Sequence, residues 1–156
     1  MAGHMTPAPR VLAADDHPHI LSALKLLLRS EGFELETVTS PAAAHRAVEA
    51  GSFDVVLIDL NYARDTTSGS EGLELLERLH SHDEMLPVVV MTAWGSVDLA
   101  VTAMRLGARS VASSFSFSQG FWTKSRRWSS DVRCAAASDW RRRIGCSAAM
   151  TSSAAR

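Results

Sequence analysis

The sequence predicts an α/β fold built on a doubly wound parallel sheet, and three apolar runs carry that prediction. Residues 11–14, 55–58 and 88–91 are short, continuous and rich in branched side chains. Such runs, bounded by turn residues and separated by helix-like segments, form strands buried on both faces. Each run ends at polar residues: Asp15 and Asp16, then Asp59, then Thr92. In an open parallel sheet, functional groups gather beyond the carboxyl ends of the strands. Three carboxylates and a hydroxyl are therefore expected at one edge. A carboxylate cluster is costly unless a cation sits in it, and oxygen ligands favour a hard divalent ion, Mg²⁺ above all.

The intervening segments supply the other elements. Pro18 suits a first helical turn, and Ile20, Leu24, Leu27 and Leu28 give that helix an apolar face. Gly32 can end it in a left-handed conformation. Residues 33–38 alternate and form a second strand. Ser40 caps a helix that has Pro41 at its first position and ends at Gly51. After the strand ending at Asp59, residues 72–80 form a helix with Leu73, Leu75, Leu76 and Leu79 on one side. After Thr92, Ser96 caps a helix that should turn Val97, Val101, Met104 and Leu106 inward, with Gly107 as its stop. Repeated strand–helix units with short connections give right-handed crossovers and helices on both faces. One connection is long and polar: residues 61–71 lie beside Asp59 and read as a solvated loop, with gating of the site as the rival reading.

The chain of 156 residues suits one domain, and its apolar stretches are too interrupted for a membrane span. With no export signal evident, a cytoplasmic location follows, and Cys134 and Cys146 are expected as free thiols. Residues 1–9 are set apart as a tag or disordered leader, and 10–109 form the domain. The net charge of −1 hides an asymmetry. Residues 1–109 hold 15 acidic and 8 basic side chains; residues 110–156 hold 2 and 8. The tail has no leucine and 12 serines. Within it Val132, Ala136, Trp140 and Ile144 share one face of a helix over 131–144. Self-association or homodimerisation is expected to run through this segment. Arg126, Arg127 and the run Arg141–Arg142–Arg143 are basic clusters near Trp128 and Trp140. No helix-turn-helix pattern accompanies them, so a solvated tail is expected rather than a nucleic-acid surface.

The stretches 11–16, 54–61 and 87–93, followed by Gly107 and Ala108, resemble the receiver domain of bacterial two-component response regulators. Residues 91–97 resemble most closely the receivers of nitrogen-regulator-type transcriptional activators. The resemblance covers about residues 10 to 109. It implies a flavodoxin-like (βα)5 fold with strand order 2-1-3-4-5, its fifth unit atypical or incomplete here. It implies phosphorylation of Asp59 from a sensor histidine kinase or phosphotransfer protein. Carried over position by position, Asp15, Asp16, Asp59 and the Asn61 carbonyl would hold Mg²⁺. Thr92 and the Ala93 N–H would bind the phosphoryl group. The chain would then act as a signalling module, its chemistry confined to Mg²⁺-dependent self-phosphorylation and autodephosphorylation.

The family's fifth strand ends in Lys-Pro, where this chain has Ser114 and Phe115; Val111 stands at the place of its switch aromatic. Output switching is therefore expected to be impaired. A degenerate receiver that binds partners without phosphate is the alternative. His17 and His19 flank Pro18 beside the carboxylates. A ligand role for them would favour softer ions than Mg²⁺, but exposed first-turn positions are the simpler reading.

Overall fold

A computed structural model describes residues 8–62, 70–92 and 97–113. In chain order these form β1 (Arg10–Ala14), α1 (Pro18–Ser30), β2 (Glu34–Val38), α2 (Pro41–Ala50), β3 (Val55–Asp59), α3 (Ser70–His82), β4 (Val88–Thr92), α4 (Val97–Arg105) and β5 (Ser110–Ser113). The strands make one parallel sheet in the order β2-β1-β3-β4-β5. β1 and β3 sit at its centre, with Ala14 opposite Ile58. β3 and β4 are fully buried along their length, as continuous apolar runs require in a sheet covered on both sides.

Alternation along the strands divides the core into two layers. Leu12, Val56, Ile58, Val88 and Val90 share a layer with Ala44, Val48, Leu75, Leu76 and Leu79 of α2 and α3. Val11, Ala13, Val55, Leu57, Val89 and Met91 share the other with Leu21, Leu24 and Leu28 of α1. Each fully buried leucine contributes about 1.5–3 kcal/mol, so these layers anchor the strand ends.

The helix boundaries follow local chemistry. Pro41 opens α2, the Ser40 hydroxyl accepts the Ala43 N–H at 3.2 Å, and Gly51 closes the helix. Pro18 opens α1, whose N-cap is His17 rather than either aspartate. Gly32 follows with φ of 84°, a left-handed conformation that glycine adopts without strain. The Pro9 carbonyl already joins the sheet margin by accepting the Glu34 N–H at 2.9 Å.

Two features differ from the sequence reading. The regular pattern does not stop at Arg109. Ser110–Ser113 forms β5, with Val111 opposite Val90 and Thr92 opposite Ser113. A short strand at the margin of a sheet needs less apolar side-chain burial than a central one, which explains its weak sequence signature. The α4 face is also reversed. Val97, Val101 and Met104 are 74%, 44% and 50% exposed, while Ala103 is buried with Leu99 and Leu106 packed beside it. The helix carries two apolar stripes, and the one with the small alanine approaches the sheet. The segments 63–69, 93–96 and 114–156 lie outside the described residues. With them lie Ala93, Trp94, Ser114, Lys124, both cysteines and the expected helix over 131–144.

One glycine is fixed by crowding. A Cβ at Gly72 would lie 2.6 Å from Leu60 Cα and 2.8 Å from the Asp59 carbonyl oxygen. Both are backbone atoms, so α3 can sit against the end of β3 only without a side chain here. Gly72→Ala is expected to destabilise the domain by about 1–3 kcal/mol, the usual cost of overpacking. Urea unfolding measures this, and an unchanged midpoint would show that the α3–β3 approach is not tight.

Candidate functional site

The buried polar or charged residues among those described are Asp15, Asp59 and Thr92, at 1%, 5% and 3% exposure. All three stand at the same edge of the sheet, at the ends of β1, β3 and β4. The topology dictates this: parallel neighbours deliver their carboxyl ends together, and Asp59 pairs with Met91, one residue before Thr92. Leu60 extends the ladder by donating its N–H to the Met91 carbonyl at 3.0 Å.

Asp15 is held on two sides. Its N–H donates to the Val38 carbonyl at 3.2 Å. Its carboxylate accepts the His17 N–H at 2.7 Å. The His17 ring then folds back over the pair, with Nδ1 3.1 Å from Asp15 Oδ1 and 2.9 Å from Asp16 Oδ1. One ligand atom from each of Asp15, Asp16, His17 and Asp59 falls within 4.8 Å of the others. Asn61 enters through its backbone, whose N–H donates to the Asp59 carboxylate. Tyr62 is buried, and its hydroxyl donates to the Ala14 carbonyl at 3.3 Å. That bond ties the start of the long connection to the end of β1. A cleft of about 510 Å³ opens beside Asp16, lined also by Ser40, His45, Tyr62, Glu71 and Arg78.

Burial raises the Asp59 pKa to about 7, and the charges of Asp15 and Asp16 add to the effect. Burial likewise raises Asp15, against the lowering hydrogen bonds from His17. For His17, burial lowers the pKa, but Asp16, Asp15 and Asp59 outweigh it and the net shift is upward. Tyr62 is raised by burial and then by Asp59, so its hydroxyl stays protonated. The site thus has an excess of buried negative charge. Three carboxylates with oxygen donors fit a hard divalent cation, and beside such an ion Asp59, raised chiefly by burial, would be held in its ionised form.

The profile of the response regulator receiver domain matches residues 11–113. The chain belongs to this family. It is 37% identical over 99 residues to the C4-dicarboxylate transport transcriptional regulatory protein DctD of Pseudomonas aeruginosa, covering 64% of this chain and 20% of that protein. It is 34% identical over 104 residues to the transcriptional regulatory protein FixJ of Bradyrhizobium diazoefficiens, covering 67% and 48%. The solved structure of NtrX from Brucella abortus is similar with a TM-score of 0.71 and 26% identity, over 88% of this chain and 29% of that one. This receiver therefore spans between a fifth and a half of the curated relatives' length. The matched region reaches the end of β5, four residues past Arg109. Among the described residues, no helix is long and apolar enough to cross a membrane.

The receiver's edge brings Asp15, Asp16 and Asp59 together as the sequence pattern required. Thr92 stands beside them, and Ala93 lies outside the described residues. Sequence reasoning left His17 as an exposed first-turn residue, and its ring is 59% exposed, yet Nδ1 faces the carboxylates. Tyr62 and Gly72 were not singled out. An aromatic three residues after Asp59 in an otherwise polar stretch was the available clue to Tyr62.

The pKa shifts set a pH dependence. In the fold the Asp59 carboxyl is pushed up to about 7 from its ordinary 3.8. Between those values the unfolded chain has lost a proton that the folded protein keeps, so stability falls as pH rises. Asp15 has the same sign. His17, raised in the fold, contributes stability below its unfolded pKa that is lost as pH rises through the folded one. In a chelator, denaturation should therefore show lower stability at about pH 8 than at about pH 5, and Asp59→Asn should flatten most of the difference. A flat wild-type profile would contradict the burial of the carboxylates.

Proposed function

We propose that this receiver accepts a phosphoryl group on Asp59 from the phosphohistidine of a sensor histidine kinase or phosphotransfer protein, in a Mg²⁺-dependent reaction. The observation that carries this reading is the placement of Asp59, a buried carboxylate at the centre of the acidic edge with a pKa raised to about 7. An Asp59 oxygen attacks phosphorus in line, the P–N bond breaks, and its electron pair leaves with the imidazole. The product is an acyl phosphate. Asp15, Asp16, Asp59 and the Asn61 carbonyl would hold the ion. When bound, a divalent cation keeps Asp59 ionised and neutralises charge on the transferring group. The Thr92 hydroxyl donates to a phosphoryl oxygen, and the Ala93 N–H supplies a second donor. The chain's chemistry is confined to gaining and losing this group.

Incubation with acetyl phosphate and Mg²⁺ should add one phosphate to the intact protein, and Asp59→Asn should abolish the addition. Labelling that survives in Asp59→Asn would place the acceptor elsewhere. Failure of the wild type to label would favour the alternative of a phosphate-independent interaction module, for which Ser114 in the lysine position is the relevant observation.

Coupling from Asp59 to the output surface is expected to be weak. A ligand shifts an equilibrium only through contacts that differ between the states. Ser114 supplies no cation, and Val111 on β5 supplies no ring, so Thr92 carries most of the difference. Amide NMR shifts over residues 97–106 on adding beryllofluoride should be small. Large cooperative shifts there would show that another group has taken over the lysine's role.

A further inference from the structure

Away from the acidic edge, α2 and α3 bring two imidazoles together. The rings of His45 on α2 and His82 at the end of α3 have centroids 6.3 Å apart and meet edge to face at 64°. Helical spacing puts them there. Leu75, Leu79 and His82 recur on one face of α3, and His45 lies between Ala44 and Val48 on α2. Leu75, Leu79, Ala44 and Val48 are buried in one core layer, which fixes the two helices side by side. His45 is half-buried and His82 exposed, so the pair stands where the helix seam opens to solvent. The opening is a cleft of about 540 Å³, lined otherwise by Glu74, Glu77, Arg78 and Ser81. Arg78 is paired with Glu74 at 2.7 Å, and the two glutamates outweigh its charge. Glu49, one turn after His45, brings Oε2 to 3.4 Å from His45 Nδ1. A carboxylate on one ring nitrogen orients the ring and leaves the other nitrogen as a lone-pair donor. Aromatic packing would account for the ring contact, but not for an open, polar and net acidic cleft in front of it.

We propose that His45 and His82 are the protein ligands of a second metal site, one that takes Zn²⁺ and clasps α2 to α3. Imidazole nitrogen suits Zn²⁺, whereas carboxylate oxygens suit Mg²⁺, so this site and the acidic edge select different ions. Zn–N bonds of about 2.0–2.1 Å put the centres of two rings that share an ion roughly 5–6 Å apart. The rings therefore need only a small closure, which the exposed His82 side chain supplies. Water fills the remaining coordination positions from the cleft, and Glu49 holds His45 from outside the coordination sphere. An ion bound to both helices binds the folded chain alone and stabilises it by mass action. His45 also lines the cleft beside Asp16, so the ion would stiffen one wall of that cleft. The site is independent of phosphorylation at Asp59.

Zn²⁺ titration of the full chain in excess Mg²⁺, which competes at the acidic edge, tests this by histidine ring NMR and thermal unfolding. Zn²⁺ should shift the His45 and His82 ring signals together and raise Tm. His45→Ala and His82→Ala should each weaken Zn²⁺ binding at least about tenfold, and Glu49→Gln about tenfold, the lower end of what losing an outer-sphere partner costs. His82 is exposed, so His82→Ala should keep the metal-free Tm and carries the test even if His45→Ala unfolds. His19→Ala, which removes an imidazole on α1, should leave Zn²⁺ affinity unchanged. Ring shifts confined to His17, or Zn²⁺ displaced by Mg²⁺, would place the ion at the acidic edge and overturn the proposal. Unchanged Zn²⁺ affinity in His82→Ala would overturn it as well.

Discussion

The burial of carboxylates at one edge of the sheet is the constraint on which the rest of this structure depends. Unit charges near 4 Å interact by about 4 kcal/mol at an effective dielectric of 20. Asp15, Asp16 and Asp59 each bring an oxygen to within 4.8 Å of the others, so repulsion adds to the cost of taking Asp15 and Asp59 out of water. Burial first, and neighbouring charge after it, raises the pKa of Asp59 and Asp15, so protonation relieves part of this cost where no cation is bound. The sheet must hold the groups together nonetheless. Fully buried strands on both sides of the site provide that rigidity. Gly72 lets α3 close on the backbone of Asp59 and Leu60, and the Tyr62 hydroxyl bridges to the end of β1.

What could be read in the sequence follows from which physical rules are local. Apolar runs ending in carboxylates reveal both the parallel strands and the shared edge, because topology alone brings strand ends together. Ser40-Pro41 and Gly51 state the limits of α2 through capping chemistry that needs no tertiary partner. The α4 face was misread because two stripes compete on nine residues, and only proximity to the sheet decides between them. Ala103 won through its small size, leaving Val97, Val101 and Met104 outside. β5 was hidden for a related reason: a four-residue strand on the sheet margin, with serine at both ends, carries little hydrophobic signature. The Gly72 contact and the His17 ring position depend on a close approach and on a turn, and neither leaves a pattern along the chain.

The strand ending at Thr92 links the chemistry to the far side of the sheet. Thr92 stands one register step past the Asp59 pairing on one side and opposite Ser113 of β5 on the other. Only four residues of sequence separate it from Val97, the start of α4. Val111 lies opposite Val90 and packs against the layer that holds Ala103.

Charge accounting joins these points. A divalent ion among three carboxylates leaves the site one negative charge in excess, and a phosphoryl group adds more. The charged neighbours that act on Asp59 among the described residues are Asp15 and Asp16, which raise its pKa, and His17, which lowers it. Among the described residues, His17 is thus the group whose positive charge acts on Asp59. It can offer a proton's charge or a lone pair, but Nδ1 cannot do both at once. With Mg²⁺ held in the oxygen cluster, as proposed above, the ring would keep its role as a counter-charge.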